Sequence, residues 1–108
     1  MESIVQKDRN RCYLCGRVRT TFNPLDEHHV YFGPARPISE RYGLKVYLCH
    51  FGCHLFSLKA VHNNAKRCRE LQADVQRITM EYYGWTIADF VRIVGKNYTE
   101  ETTWEKEE

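Results

Sequence analysis

Two closely spaced pairs of cysteines constrain this chain more than any other feature of its sequence. Cys12 and Cys15 are separated by two residues, and Cys49 and Cys53 are separated by three. A short spacing presents two thiolates to one ion, and two such pairs complete the tetrahedral coordination that Zn(II) accepts. The pattern therefore predicts a structural zinc site that ties the N-terminal segment to the middle of the chain.

The same sequence leaves alternatives to this ligand set. His50 is placed to replace Cys49 as a ligand, and the thiols are also compatible with buried, reduced cysteines that hold no metal. A thioredoxin-like redox role for Cys12 and Cys15 is disfavoured, because no βαβ pattern surrounds them. The fifth cysteine, Cys68, lies on the apolar stripe of a predicted helix, and we assign it to the core.

The first half of the chain predicts two strands. Residues 25–32 are rich in β-forming side chains, and residues 44–49 alternate between apolar and polar ones. Between them, residues 33–43 contain two prolines and two glycines, which predicts a loop. Residues 1–10 are polar and predict a loose segment that leads into the first cysteine pair.

The second half predicts a long amphipathic helix. Asn63 or Asn64 is placed to cap its start, and Gly84 follows its end. Its apolar side chains recur at steps of three and four residues, as expected of one stripe of a helix. This stripe consists of Ala65, Cys68, Leu71, Val75, Ile78 and Tyr82.

A second, shorter helix is predicted directly after the first. Thr86 and Asp89 resemble a capping box at its start, and Gly95 stops it. Its apolar face consists of Ile87, Phe90, Val91 and Val94. Strands followed by helices indicate an α+β fold, which we expect to occupy residues 1–98 as one domain.

Charge is distributed unevenly along the chain. Residues 99–108 contain five glutamates and one lysine, a net charge of −4, so that residues 1–98 carry a net charge of +6. A small basic domain suggests a polyanionic partner, of which nucleic acid is the most common, although solvated surface charge explains the same balance. We predict that residues 99–108 form an acidic, disordered tail.

Neither a membrane nor an export pathway is indicated. No apolar run approaches the roughly 20 residues that a bilayer span requires. The first residues lack the basic region and apolar core of a secretory signal. We therefore expect a cytoplasmic protein without membrane contact, in a reducing compartment where clustered cysteine and histidine indicate metal more often than disulfides.

The histidines complete a pattern that resembles a known superfamily. His28 and His29 lie in the first predicted strand, and His54 directly follows the last cysteine of the second pair. Together with the cysteine pairs, this order resembles the zinc-bound form of HNH (ββα-metal, His-Me finger) endonucleases. Within that superfamily the chain is most similar to small HNH-like proteins of bacteriophages and prophages. The resemblance spans residues 12–98 and is carried by the segments 27–33, 39–44 and 95–98.

The resemblance implies a zinc-stabilised ββα-metal core followed by two C-terminal helices, and an endonuclease that hydrolyses DNA phosphodiester bonds. In the matching positions His29 would be the general base. His28 and His54 would be ligands of one catalytic divalent metal ion, with His62 as a third ligand. An alternative register makes His28 the base and Glu27 a ligand.

The catalytic metal is open among Mg(II), Mn(II), Ni(II) and Zn(II). Neutral imidazole ligands suit a transition metal, whereas a carboxylate ligand shifts the preference toward Mg(II). The sequence departs from the family at one position. HNH enzymes usually carry an asparagine about five residues before the second cysteine pair, where it orients the base. Here that neighbourhood reads Gly43, Leu44 and Lys45, and the candidate asparagines Asn63 and Asn64 lie farther along the chain.

DNA is the expected partner. Arg36, Arg41 and Lys45 are candidates for phosphate contacts, although solvated charge is the more common role of such side chains. A homodimer, or a phage or host protein as partner, is also compatible with the sequence. The alternative function is a non-catalytic zinc module that keeps the HNH framework and binds DNA or a partner protein. A second metal ion per chain, outside the four cysteines, would favour the enzyme.

Overall fold

Two antiparallel strands lie at the centre of the molecule. Strand β1 (Leu25–His29) pairs with strand β2 (Lys45–Cys49), and the register places His29 directly opposite Lys45. The structure is a computed structural model, and it describes residues 1–54 and 64–99. Both predicted strands are present, although regular pairing of the first ends at His29 rather than at residue 32.

Three helices complete the described part of the chain. Helix α1 (Arg36–Tyr42) connects the strands after a 3₁₀ turn, Gly33–Ala35. A π-helical turn, His50–His54, follows β2 directly. Helices α2 (Ala65–Tyr83) and α3 (Ile87–Val94) come last. This order makes the chain mixed α+β, as predicted, and none of its described helices has both the length and the apolar content that a membrane span requires.

The prediction of a loop over residues 33–43 was wrong, because most of that segment is α1. Its prolines and glycines flank the helix or sit in its first turn. Pro37 lies at the helix start, where no intrahelical N–H donor is needed. Gly43 ends the helix with a positive φ of 73°, a conformation that glycine adopts without strain. Helix α1 thereby carries Arg36 and Glu40 toward β1.

The expectation of a loose N-terminal segment was also wrong. Residues 3–6 run along the edge of β2 that does not face β1. Ser3 Oγ donates to the carbonyl oxygen of Lys45 at 2.5 Å, and the backbone N–H of Tyr47 donates to Gln6 Oε1 at 2.8 Å. The segment was misjudged because its contacts are made by polar side chains with backbone groups far away in sequence.

Helix α2 begins and ends where predicted, and Leu71 and Val75 of the predicted stripe are buried, but the buried face does not follow the whole stripe. The Asn64 side chain accepts a hydrogen bond from the backbone of Arg67, and Gly84 closes the C-terminus. The predicted stripe placed Tyr82 in the core, yet Tyr82 is 60% exposed. Three polar side chains of α2 are buried in addition to the apolar ones: Gln72, Gln76 and Thr79.

Residues 97–99 explain this difference, because they return over α2 and supply partners for one of its buried amides. Gln76 Nε2 donates to Asn97 Oδ1 at 2.8 Å, and its Oε1 accepts from the backbone N–H of Tyr98 at 2.6 Å. A buried amide that is fully hydrogen-bonded costs little, so polar residues can occupy core positions here. The remainder of the predicted acidic tail, residues 100–108, lies outside the described residues.

Helix α3 starts with the predicted capping box. Only half of the side chains on its predicted apolar face are buried in the core. Thr86 and Asp89 exchange side-chain-to-backbone hydrogen bonds at 3.1 and 3.0 Å. Phe90 is fully buried, whereas Ile87 is 47% exposed. The main core lies between the sheet and helices α2 and α3, and its fully buried apolar side chains are Val30, Tyr31, Leu44, Val46, Leu48, Val75 and Phe90.

Candidate metal centre and catalytic site

The four predicted cysteines meet at one point. The sulfur atoms of Cys12, Cys15, Cys49 and Cys53 all lie within 4.8 Å of one another. Tetrahedral Zn(II) with Zn–S bonds of about 2.3 Å sets its sulfurs about 3.8 Å apart, so the four thiols are close enough to bind a metal ion and fit a zinc site. Cys68 is half-buried against the core and is not part of this cluster, as predicted.

Local backbone structure positions each cysteine pair at the four-cysteine cluster. The backbone N–H of Gly16 bonds the carbonyl oxygen of Cys12 at 2.9 Å, and the positive φ of Gly16, 77°, closes this turn tightly. The N–H of Tyr13 donates to the carbonyl oxygen of Tyr47 at 2.8 Å, which docks the turn onto β2. Cys49 ends β2 and Cys53 lies in the π-helical turn, so one ion would join three elements.

The thiols of the cluster have different acidities. Although burial raises it, backbone N–H groups of Cys15, Cys49 and Leu14 lower the pKa of Cys12 to about 7. Burial, followed by the neighbouring thiol of Cys15, raises the pKa of Cys49 to about 11. Deprotonation of all four thiols therefore needs a cation, which a bound metal ion supplies.

The ring of His54, in the π-helical turn, packs against the ring of His28 on one face of β1. Their ring centroids are 5.1 Å apart at an interplanar angle of 68°, and His28 is buried while His54 is 14% exposed. The Asp26 carboxylate, on the same face of β1 as His28, lies 2.8 Å from Nδ1 of His54 and 2.5 Å from Nδ1 of His50. Although burial raises it, the hydrogen bonds from His54 and His50 lower the pKa of Asp26 below its usual value.

This arrangement suits a metal ligand. A carboxylate only accepts hydrogen bonds, so Nδ1 of His54 donates to Asp26 and the lone pair of the neutral ring lies on Nε2. Metal-binding histidines commonly have such a carboxylate partner on the other ring nitrogen. The role of His28 and His54 as ligands of a catalytic metal ion stays a prediction. His62, the predicted third ligand, lies outside the described residues.

His29 lies on the opposite face of β1, in a cluster of charged groups that we call the carboxylate cluster: Glu27, His29, Glu40 and Lys45. Nε2 of His29 is 2.9 Å from Glu40 Oε1, and Lys45 Nζ lies 3.2 to 3.3 Å from the carboxylates of Glu40 and Glu27. The oxygens of the two glutamates and the His29 ring lie within 4.8 Å of one another, a spacing compatible with a metal ion. Lys45 and the amino group of Met1 already supply two positive charges against the two carboxylates, so this cluster needs no ion to balance it.

One open pocket at the end of β1 is lined by residues from both faces of the strand. His28 and His29 are neighbours in the chain, and the strand end brings both to its wall. Arg36, at the start of α1, adds a guanidinium group on the same wall. The lining consists of Glu27, His28, His29, Phe32, Arg36 and His54.

The three basic residues predicted to contact phosphate lie in different surroundings. Arg36 is exposed and lines the pocket. Arg41 is exposed away from it, with its guanidinium 5.7 Å from the ring centre of Tyr42. Lys45 is buried, and its ammonium is engaged with Glu27 and Glu40. Phosphate contact by these side chains stays a prediction.

Two site residues escaped the sequence analysis. Asp26 precedes His28 by two positions, so the alternation of a strand placed both on one face, and this signal was available. Glu40 was assigned to a loop and had no predicted place near His29. The contact of Glu40 with His29 depends on helix α1, which the sequence analysis missed because the prolines indicated a loop.

Comparison with protein-family models, with curated proteins and with solved structures found no match to this chain.

Proposed function

We propose that this protein is a metal-dependent endonuclease of the HNH type that hydrolyses DNA phosphodiester bonds in the pocket at the end of β1. The observation that carries the proposal is the meeting of His28, His29, His54 and Arg36 at one pocket wall. The zinc site holds the C-terminal end of β2, and the sheet pairing then fixes β1 beside it. A zinc-stabilised ββα-metal core and the cytoplasm of a bacterial or phage-infected cell belong to this proposal.

Each pocket residue has a defined role in it. His28 and His54 would hold the catalytic ion, with His62 as a third ligand. A bound divalent ion there would neutralise a nonbridging phosphate oxygen and the leaving oxygen. The guanidinium of Arg36 pairs with a phosphate oxygen of the substrate and orients it. The rings of His28 and His54 lie side by side on one face of β1. This contact supports the assignment of His28 as the metal ligand, rather than the alternative in which His28 is the base and Glu27 the ligand.

His29 acts as the general base. A neutral imidazole accepts a proton from water, and the water oxygen forms a bond to phosphorus. The bond between phosphorus and the leaving sugar oxygen breaks, and solvent supplies the proton that this oxygen takes up. His29 then returns its proton to solvent, which restores the site.

A second candidate function is a non-catalytic zinc module that binds DNA or a partner protein. One observation favours it: within residues 1–54 and 64–99, no third donor joins His28 and His54. The two functions differ in metal content. The enzyme takes up one divalent ion in addition to the ion at the four cysteines, and the module does not.

A plasmid-nicking assay tests the proposal. Purified protein is incubated with supercoiled plasmid and Mg(II), Mn(II), Ni(II) or Zn(II), beside the variants His29→Ala and His54→Ala. We expect nicking by the wild type with at least one ion, and a loss of about 10²- to 10⁴-fold in His29→Ala without loss of metal. His54→Ala should instead require a higher concentration of the metal. Zinc content and circular dichroism confirm that both variants are folded.

Two results would contradict the proposal. Wild-type protein that binds DNA and zinc but nicks under none of the four ions supports the non-catalytic module. Equal nicking by the wild type and His29→Ala rejects His29 as the base. In that case His28→Ala decides between the alternative register and a contaminating nuclease.

A further inference from the structure

One carboxylate determines which ring nitrogen of His29 carries hydrogen. Nε2 of His29 lies 2.9 Å from Oε1 of Glu40, whereas the nearest oxygen of Glu27 is 3.9 Å away. An ionised carboxylate has no hydrogen to give, so Nε2 is the donor of this bond. A neutral imidazole with its hydrogen on Nε2 carries its lone pair on Nδ1. Within the described ranges, no residue forms a hydrogen bond with Nδ1 of His29.

Glu40 is held in its ionised form. The amino group of Met1 lies 2.8 Å from Oε2, and Lys45 Nζ lies 3.2 Å from both carboxylate oxygens. The Met1 amino group, His29 and Lys45 together lower the pKa of Glu40 to about 2. At neutral pH the carboxylate therefore accepts hydrogen bonds and donates none.

The support for Glu40 is built into the fold. Its neighbour Ser39 is fully buried, accepts a hydrogen bond from the backbone N–H of Tyr31 at 3.1 Å, and donates to the Tyr31 carbonyl oxygen at 2.7 Å. These two bonds tie α1 to the chain just after β1. Lys45 approaches from β2, where it stands opposite His29. Glu40 and His29 are thus fixed from two sides, which limits rotation of the imidazole.

We propose that Glu40 is a positioning residue for His29. It holds the neutral ring in the form with its lone pair on Nδ1, and it stabilises the imidazolium once that nitrogen has taken a proton. This inference rests on the proposed function, in which His29 removes the proton from water. Glu40 acts through His29: the O–H bond of water breaks, the proton goes to Nδ1, and Nε2–H stays bonded to Glu40.

Nuclear magnetic resonance tests the first half of the proposal without any activity. Long-range ¹H–¹⁵N correlation spectra of ¹⁵N-labelled, zinc-loaded protein distinguish a protonated from an unprotonated ring nitrogen. In the neutral form of the ring, which the same spectra identify, we expect Nε2 of His29 to be protonated and Nδ1 unprotonated, and a mixture of both neutral forms in Glu40→Ala. A wild-type spectrum with the hydrogen on Nδ1 would overturn the proposal.

Plasmid nicking by two substitutions at the same position tests the second half. Glu40→Ala removes the acceptor, and we expect nicking to fall by about 10- to 100-fold, part of the contribution of a positioned base. Glu40→Gln removes the charge, and with it the ion pairs with Lys45 and Met1, but its amide oxygen still accepts from Nε2–H. Glu40→Gln should therefore nick at least several-fold faster than Glu40→Ala. Glu81→Ala, at an exposed glutamate of α2, is the matched control.

The outcomes separate positioning from a purely structural role. If Glu40 only supported the fold through its ion pairs, Glu40→Gln and Glu40→Ala would lose equal activity, and the proposal would fail. If Glu40→Ala does not fold, the wild-type spectrum and Glu40→Gln still decide. Wild-type protein that nicks under no condition refutes the proposed function, whereas the ring spectra continue to show whether Glu40 sets the hydrogen on His29.

Discussion

The carboxylate of Asp26 lies 2.8 Å from Nδ1 of His54, and it joins the first strand to the turn that follows the second. His50 binds the same carboxylate oxygen from the other end of that turn. Asp26 therefore orients a proposed metal ligand through its Nδ1 atom. Such second partners determine ring orientation and ligand strength in metal sites.

Replacement of Asp26 by alanine should weaken the proposed metal site at His28 and His54 and spare the four-cysteine site. We expect the Kd of zinc-loaded protein for added Mn(II) or Ni(II) to rise by about 10- to 100-fold, because His54 loses its orientation. Isothermal titration calorimetry measures this change. Asp74→Ala is the control, since Asp74 is an exposed aspartate that pairs with Arg77 on α2. An equal Kd in Asp26→Ala and Asp74→Ala would show that Asp26 does not contribute to metal binding.

Loss of the first cysteine pair should release zinc. In a Cys12→Ser, Cys15→Ser double variant we expect the content to fall by about one zinc per chain, with loosening of the N-terminal half, because folding of such sites is coupled to metal binding. Cys68→Ser should keep its zinc, since Cys68 stands apart from the cluster. Elemental analysis and thermal melting are the measurements. Full zinc retention in the double variant would reject the four-cysteine site.

Tyr31 predicts a distinct alkaline behaviour. Its hydroxyl is buried and donates to the carbonyl oxygen of Gln72 at 2.6 Å, and burial, with a smaller contribution from Tyr98, raises its pKa above the ordinary value of 10.0. Near pH 7 we expect Tyr31→Phe to lower the free energy of unfolding by about 1 kcal/mol, the typical worth of one hydrogen bond.

The sign of the pH dependence follows from the raised pKa. The contribution of Tyr31 is complete below the unfolded pKa of 10.0 and is lost as the pH rises above it, because the unfolded tyrosine ionises first. The stability difference between wild type and Tyr31→Phe should therefore narrow above about pH 10. Urea unfolding at a series of pH values measures it. A difference that stays constant up to the alkaline limit would show that Tyr31 ionises equally in both states.

The buried amide of Gln76 should be essential for docking residues 97–99. Gln76→Met keeps the size of the side chain but removes the donor to Asn97 Oδ1 and the acceptor for the backbone N–H of Tyr98. We expect the free energy of unfolding to fall by about 1–3 kcal/mol. Arg77→Met, at the exposed neighbouring position, should change it by less than about 0.5 kcal/mol. Equal urea midpoints for the two variants would contradict this assignment.

The sequence predicted those features that depend on short-range patterns. The two cysteine spacings, a cap at Asn63 or Asn64 and the capping box at Thr86 each involve residues a few positions apart, and the structure has the cap at Asn64 and the capping box. The two cysteine pairs lie 34 positions apart, and their meeting was predictable because one zinc ion takes four ligands. The contacts of Glu40 with His29 and of Gln76 with Asn97 join residues 11 and 21 positions apart. Such pairs leave no periodic signal, because they depend on how separate elements pack.

The N-terminal segment covers the outer side of β2, and this has a consequence for how the protein behaves in concentrated solution. A strand with an unpaired row of N–H and C=O groups is a template for intermolecular pairing and aggregation. Ser3 and Gln6 occupy those groups at Lys45 and Tyr47. A chain shortened by residues 1–6 would expose the carbonyl oxygen of Lys45 and the N–H of Tyr47 to pairing with a second copy of the chain, while the N–H of Tyr13 would still cover the carbonyl oxygen of Tyr47.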